Sequence, residues 1–470
     1  MFLATIDVLF VFASTAIALF FWRRGVGLGA MLHTIIFILF VPGLQALWRV
    51  ESSLRYEVVT YIAAHVLVLT YLGLFNLCAL WLRQRLVSDK SLLASLTVVR
   101  DGIWQRVLVA WIAWQGYLIG KYGIVNLYAF KYESAGATGE HVLSYIDAAL
   151  NTMLTTIALG AVLIYIAKSV AIRGYWVGFV RTTLVGAFLA FYLVFGETPL
   201  GVRRSLMLLV LFALLVHVVL YHGDVYRWVR RNWRRVLLAM IGVVSFAMYY
   251  QAIRGNIADQ EVVDLLISGS PMEKVEGILR YAVPQTYGSV QESTPLIRSG
   301  PFDLVYRLIV NGRSTNGELL QLSTQTVVPR VFVEDKPDID VDDVIADRLG
   351  IVPEWDYLAP DLPTSVLSIF FADLGYVGVV VAAVLMAGTL SLLALGIPRF
   401  RRHPLVLLAT LAVWFQVAGN VEGELVPVLA GLRDLLLLVI IVFPVDWVIE
   451  ASKNAMKKRS VANHVSGTKP

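Results

Sequence analysis

Apolar residues fill run after run of about twenty positions along this chain, and short polar clusters rich in Arg and Lys separate them. A run of that length crosses the hydrocarbon core of a bilayer as one helix, because 20 residues rise about 30 Å. A membrane barrel would instead show segments of about ten residues alternating apolar and polar. The pattern predicts an all-α polytopic membrane protein with about eleven transmembrane helices. They fall at 2–21, 29–48, 58–82, 103–123, 145–167, 175–195, 203–221, 236–252, 365–395, 404–420 and 425–447. No basic segment precedes the first run, and Asp7 stands where a cleaved signal would carry Lys or Arg, so this run reads as a span. The chain thus divides into spans 1–8 (1–252), one large polar loop (253–364), spans 9–11 (365–450) and a polar tail (451–470) that reads as disordered.

Charge gives the spans a direction. Arg23 and Arg24 follow the first span, Arg83, Arg85, Lys90 and Arg100 separate the third from the fourth, and Lys168 and Arg173 follow the fifth. Arg227, Arg230, Arg231, Arg234 and Arg235 follow the seventh, Arg399, Arg401 and Arg402 the ninth, and Lys453, Lys457, Lys458 and Arg459 close the chain. Cytoplasmic loops carry the excess of Lys and Arg, so the N-terminus is expected outside and the C-terminus in the cytoplasm. An odd number of spans agrees. The loop 253–364 is then extracytoplasmic, with 18 Asp and Glu against 9 Lys and Arg, a formal −9; the whole chain is +5, so the remainder carries +14. Because the basic residues are divided among short loops and form no single stripe, no nucleic-acid partner is expected. Only 16% of residues are charged, against about 25% in soluble domains. The single cysteine, Cys78, lies in an apolar run and reads as a small core residue.

The long loop has helical periodicity. VVDLLISGSPMEKVEGILRYAV (262–283) and PFDLVYRLIVNG (301–312) space their apolar residues for amphipathic helices, with Leu304, Val305, Leu308 and Ile309 on one face. In the acidic stretch further on, Asp338, Asp340 and Asp342 alternate as in a calcium loop. Asp343 stands where that loop needs Gly, however, and Leu349 where it needs Glu. The stripe Val341, Val344, Ile345, Leu349, with Asp340 as N-cap and Gly350 as stop, predicts a capped helix instead, and no metal is expected.

Charges within or at the mouth of a span are costly and point to function. Arg203 and Arg204 open span 7 on the outer side, Arg254 ends span 8, and Arg433 with Asp434 lies inside span 11, about 12 Å below its outer end at 1.5 Å per residue. The four arginines are expected to converge in the outer half of the membrane, where bidentate guanidinium groups suit a phosphate. Arg330 and Lys336 flank a proline-rich turn segment, VPRVFVEDKP, and Arg280 and Arg313 are further cations of the same loop that could meet an anion. Arg181, near the cytoplasmic end of span 6, can snorkel to the surface and is discounted. The nearest structural alternatives are a buried Arg433–Asp434 pair, headgroup contacts for the outer arginines and ordinary surface charges for the loop cations.

In this order, GVRRSL, VPRVFVEDKP and PTSVLSIFFADLGYVG resemble the Wzy-type O-antigen and exopolysaccharide polymerases of the O-antigen polymerase/ligase group. The last element carries Thr364, Ser365, Asp373, Gly375 and Gly378, with Leu374 where the family usually has Phe. The likeness covers about 195–440; the first half matches in hydropathy alone. It implies a GT-C-like fold in the bacterial inner membrane, no cofactor and no metal. The implied reaction is inverting glycosyl transfer on the outer face, between oligosaccharide repeat units linked to undecaprenyl diphosphate. A chain-length regulator and a flippase of the same pathway are the implied protein partners. Cations on the leaving diphosphate would stabilise the transition state. A base for the acceptor hydroxyl would come from His141, Asp373, Glu318, Glu422 or Glu424, none singled out by spacing.

Two other readings stay open. An O-antigen ligase would use the same donor with a different acceptor. A transporter or flippase of lipid-linked sugar would show internal repeats and paired broken helices, and the chain shows neither pattern. A glycosyltransferase using a monosaccharide-phosphate polyprenol would commonly place an acidic pair in the first outer loop. Here Glu51 and Glu57 are six residues apart and beside Arg49 and Arg55.

Overall fold

The computed structural model describes residues 2–39, 41, 57–86, 99–123, 145–171, 199–222, 301–328, 341–349, 364–421 and 425–442, with scattered single positions (92, 95–96, 185, 227–228, 230–234, 273 and 444). All regular structure among them is helical. In chain order the helices are α1 (Phe2–Arg23), α2 (Leu28–Ile38), α3 (Val58–Leu86), α4 (Asp101–Tyr122), α5 (Tyr145–Ala171) and α6 (Pro199–His222). There follow α7 (Pro301–Asn311), α8 (Glu318–Val327), α9 (Val341–Leu349), α10 (Val366–Arg399), α11 (Pro404–Gly419) and α12 (Leu425–Val442). Five of the helical stretches are long and apolar enough to cross a membrane: Thr5–Arg23, Val58–Arg83, Leu150–Val170, Val366–Arg402 and Leu425–Val442. The protein is therefore an all-α membrane protein. The expected spans at 175–195 and 236–252, the helix at 262–283 and the tail lie outside the described residues, apart from Val185 and Glu273.

The chain forms two compact units. One comprises 1–82, 221–388 and 420–425, the other 83–220, 389–419 and 426–470.

In the second unit α11 is the centre, buried along nearly its whole length. Helix α5 meets it at Gly160, where a Cβ would lie 2.0 Å from the Leu408 carbonyl oxygen; only a residue without a side chain permits that approach. Helix α4 runs antiparallel to α5 along a ladder of polar pairs. Charges sit at its ends, Lys168 to Asp101 at 2.8 Å and Lys121 to Asp147 at 2.6 Å. Neutral groups sit between them: Trp111 Nε1 donates to Thr155 at 2.9 Å and Gln115 Nε2 to Asn151 at 2.7 Å. This order fits the cost of charge in a bilayer, which falls toward the interface. Gly160→Ala should lower unfolding stability by about 1–3 kcal/mol, because backbone must move to admit the methyl group. Gly73→Ala, on α3 with open space around it, is the control. Thermal unfolding in detergent checks this; equal stability of the two variants would contradict the contact.

The first unit contains the loop helices. The stripe Val341, Val344, Ile345 and Leu349 of α9 is buried as its spacing predicts, and so are Leu304, Val305 and Leu308 of α7. Helix α8 follows a tight loop, Gly312–Gly317, in which Gly312, Asn316 and Gly317 have positive φ.

One expected span is corrected. The run 365–395 is not one straight helix: Gly375 has φ 59° and ψ −142° and divides α10 into a short arm, 366–374, and a long arm, 376–399. A Cβ on Gly378 would lie 1.8 Å from the Phe370 carbonyl oxygen. Residues eight apart in an unbroken helix are separated by about 12 Å of rise, so the chain folds back sharply at Gly375. The long arm alone, at 24 residues counted from its bounds, has the length of one span.

Candidate functional site

The short arm of α10 is built to hold the loop. Ser365 caps it, with the Ser368 amide donating to Ser365 Oγ at 3.1 Å and the Ser365 amide to Ser368 Oγ at 2.8 Å. This reciprocal cap explains the Thr-Ser-x-x-Ser wording of the motif. At the other end of the arm Asp373 is buried. Its carboxylate accepts from the Thr315 hydroxyl, from the Leu320 amide at 2.7 Å and from the Leu319 amide at 3.3 Å. Those amides open α8, so Asp373 supplies the acceptor that the helix start lacks. Ser314 Oγ donates to the Asp373 carbonyl at 3.0 Å and the Thr315 amide to the Ala372 carbonyl at 3.1 Å. The motif's two glycines and its aspartate thus have separate tasks. Gly375 makes the reversal, Gly378 admits the close contact and Asp373 fastens the 314–320 segment to the arm. Arg313 immediately precedes the segment and is exposed on the surface. Among the base candidates, Asp373 has this anchoring geometry, and Glu318 is paired with Arg348 at 3.2 Å.

Within the second unit, Arg433 lies on α12 with its Nε 2.8 Å and a terminal nitrogen 2.7 Å from the same Asp434 oxygen, both side chains partly buried. The pair lowers the cost of carrying a charge on an otherwise apolar helix. Arg203 and Arg204 fall in the first turns of α6, which begins four residues before Arg203 at Pro199, a favoured first helical position. Both helices pack on α11. A Cβ on Gly419 would meet Leu208, Phe212 lies beside Trp414 and Phe415, and Gly431 faces Val413. This register fixes depths. Arg204 lies four residues to one side of Leu208 along α6, while Arg433 lies about eight residues to the other side of the Gly419 level on α11. At 1.5 Å per residue the two are roughly 18 Å apart along the bundle. The backbone positions of Arg204 and Arg433 therefore stand at separate levels of α6 and α12. Arg254, Arg280, Arg330, Lys336, His141, Glu422 and Glu424 lie outside the described residues.

A cluster that sequence reasoning missed stands in the first unit. Asp7 of α1 is fully buried and accepts from the Tyr61 hydroxyl, and His65 Nε2 is 3.0 Å from the same Asp7 oxygen. The His65 ring is held between Phe10 (4.1 Å) and Phe302 of α7 (4.2 Å). The rule that singled out the inward arginines, that an ionisable group inside a span is a candidate, applies equally to Asp7 and His65. A second buried polar set, His33 with Tyr71 (3.1 Å) and Thr34 with Asn76 (3.1 Å), joins α2 to α3. Among the described residues no group of His, Cys, Asp and Glu could hold a metal ion.

No protein-family profile, no curated protein and no solved structure matches the chain. Fold and site together define the class at the level of an all-α membrane protein with a helical polar loop fastened to its spans.

Proposed function

We propose that the protein polymerises oligosaccharide repeat units carried on a polyprenyl diphosphate, as in the O-antigen polymerase/ligase group, on the outer face of a bacterial inner membrane. A hydroxyl of the acceptor unit attacks the anomeric carbon of the growing glycan. The bond to the diphosphate breaks with inversion, the lipid diphosphate leaves and the hydroxyl proton is lost to a base. The observation that carries this reading is the PTSVLSIFFADLGYVG element. Its Ser, Asp and two Gly each have a geometric task in fastening the polar loop to the membrane, so a short likeness acquires a physical reason.

Arg203 and Arg204 then suit the headgroup level and Arg433 a deeper contact, with Arg254, Arg313, Arg330, Lys336 and Arg280 as the remaining cations for the diphosphate. The expected topology has the N-terminus outside, on the side of the long loop, and the C-terminus in the cytoplasm; a feature of the first unit supports the first part. There the N-terminal third of α1, the start of α3 and the loop helix α7 come together, which supports placing them on one side.

Cells lacking the protein should carry single repeat units on their surface glycan, or accumulate them on the lipid carrier, while still making the unit. A block in moving the lipid-linked unit across the membrane would favour the flippase reading. A full-length polymer left free of its final acceptor would favour the ligase.

A further inference from the structure

We propose that Asp7, Tyr61 and His65 are positioning residues, a seat inside the membrane for the loop helix α7, and that α7 in turn holds the Arg313 loop in place. The role of Arg313 in transfer rests on the function proposed above; the seat itself does not.

Helix α7 could have been held by apolar contacts alone, since Phe302, Leu304, Val305 and Leu308 are buried. Instead an acid and an imidazole stand beneath it in two spans, where such groups are costly unless engaged. Each is engaged. Asp7 accepts from Tyr61 and lies 3.0 Å from His65 Nε2, and Phe302 of α7 closes over the His65 ring and meets the Tyr61 ring at 5.1 Å. A second contact from the same helix serves the start of α3. The Glu57 amide donates to the Tyr306 hydroxyl at 2.9 Å, filling a position that helix starts leave without a backbone partner. Helix α7 thus covers the cluster with one side chain and caps the span with another, one turn apart.

The consequence runs along the chain. Helix α7 ends at Asn311, and the next residues are Gly312 and Arg313. The far side of that tight loop is tied to Asp373 through Ser314, Thr315 and the start of α8. Arg313 is therefore carried between two anchors, one on α1 and α3 and one on the short arm of α10. Releasing the first leaves the start of the loop held only by the apolar face of α7 and by the Asn311 side-chain amide, which donates to the Leu349 carbonyl, and so loosens it. A side chain that must meet a phosphate with a planar fork needs both.

Two readouts test this on full-length protein in detergent micelles. The first is trypsin cleavage after Arg313, beside which thermal unfolding reports global folding. Asp7→Ala, His65→Ala and Phe302→Ala should each speed that cleavage about tenfold. Asp7→Asn, which keeps an acceptor for Tyr61, should restore near-normal protection. Tyr306→Phe is the milder variant should the alanines fail to fold, and should speed cleavage about threefold. Unchanged cleavage in Phe302→Ala and Tyr306→Phe would overturn the seat whatever happens to polymer.

The second readout is polymer formation by His65→Ala, Arg313→Ala and the double variant. If the seat acts through Arg313, the double variant is no worse than Arg313→Ala, because coupled sites are not additive. Losses that multiply would break the link between seat and Arg313 even with cleavage accelerated. Absence of polymerisation in the unaltered protein would remove the proposed function, and the link with it, while cleavage still decides the seat.

Discussion

Gly378→Ala should abolish polymer and destabilise the first unit, whereas Gly388→Ala, about 15 Å further along the same arm by helical rise, should do neither. The added methyl carbon at 378 would lie 1.8 Å from the Phe370 carbonyl oxygen and 2.4 Å from its carbon, and at 388 it meets nothing within 4 Å. Ordinary contact begins at 3.4 Å, so the two arms of α10 must part by well over an ångström. Backbone faces backbone there, and no rotamer change relieves it. The cost is that of overpacking, about 1–3 kcal/mol or more. The displaced arm carries Asp373, so its bonds to Thr315, Leu319 and Leu320 are strained together and the loop is loosened. Gly375→Ala acts by a different route. At φ 59° and ψ −142° a side chain meets its own backbone, a conformation that costs about 1–3 kcal/mol outside glycine. Thermal unfolding and polymer length for the three variants separate these effects. Wild-type behaviour of Gly378→Ala would contradict the reversal in α10.

The arginines give the second large effect. Arg433→Ala should reduce polymer formation about 100-fold or more, the scale for removing a donor that stabilises developing charge. Arg433→Lys should also be damaging. The guanidinium reaches one Asp434 oxygen with two nitrogens, at 2.8 and 2.7 Å, and a single ammonium cannot reproduce that fork. Asp434→Asn tests the pairing from the other side: it leaves a charge in the helix with a weaker partner and should cost both expression and activity. Arg254→Ala and Arg254→Lys should follow Arg433. Of Arg203 and Arg204, only one should be essential, since neighbours on a helix point about 100° apart. Lys should serve there if the need is for a headgroup contact. Arg181→Lys, at a snorkelling position, should be tolerated. Membrane expression must be matched throughout.

How much of this could be read along the chain depends on where the partners of each residue lie. The stripes of α7 and α9 were legible because an amphipathic helix declares its buried face locally. The five long apolar helices were legible through length and apolarity. The break at Gly375 was not, because hydropathy carries no information about φ and the run 365–395 stays predominantly apolar on both sides of Gly375 despite Asp373. Helix α8 left a weaker sign in Leu319 and Leu322 after Gly317 and Glu318, short enough to pass for loop. Asp7 and His65 are 58 residues apart, and neither suggests the other until α1 and α3 are packed. The depths of Arg203, Arg204 and Arg433 depend on the register of α6 and α12 against α11, which Leu208, Gly419, Val413 and Gly431 decide by contact across the bundle. Asp373 was picked out by its place in a motif, and its task became clear only with Thr315 and the start of α8 beside it.

The central claim is that this protein joins lipid-linked repeat units. Its most direct test is the product formed by purified protein in lipid vesicles supplied with one polyprenyl-diphosphate oligosaccharide. A ladder of polymer, one lipid diphosphate released for each bond made, is the predicted result, with none from Arg433→Ala at equal protein. A substrate left at its original length, or moved across the bilayer without growing, would contradict the account.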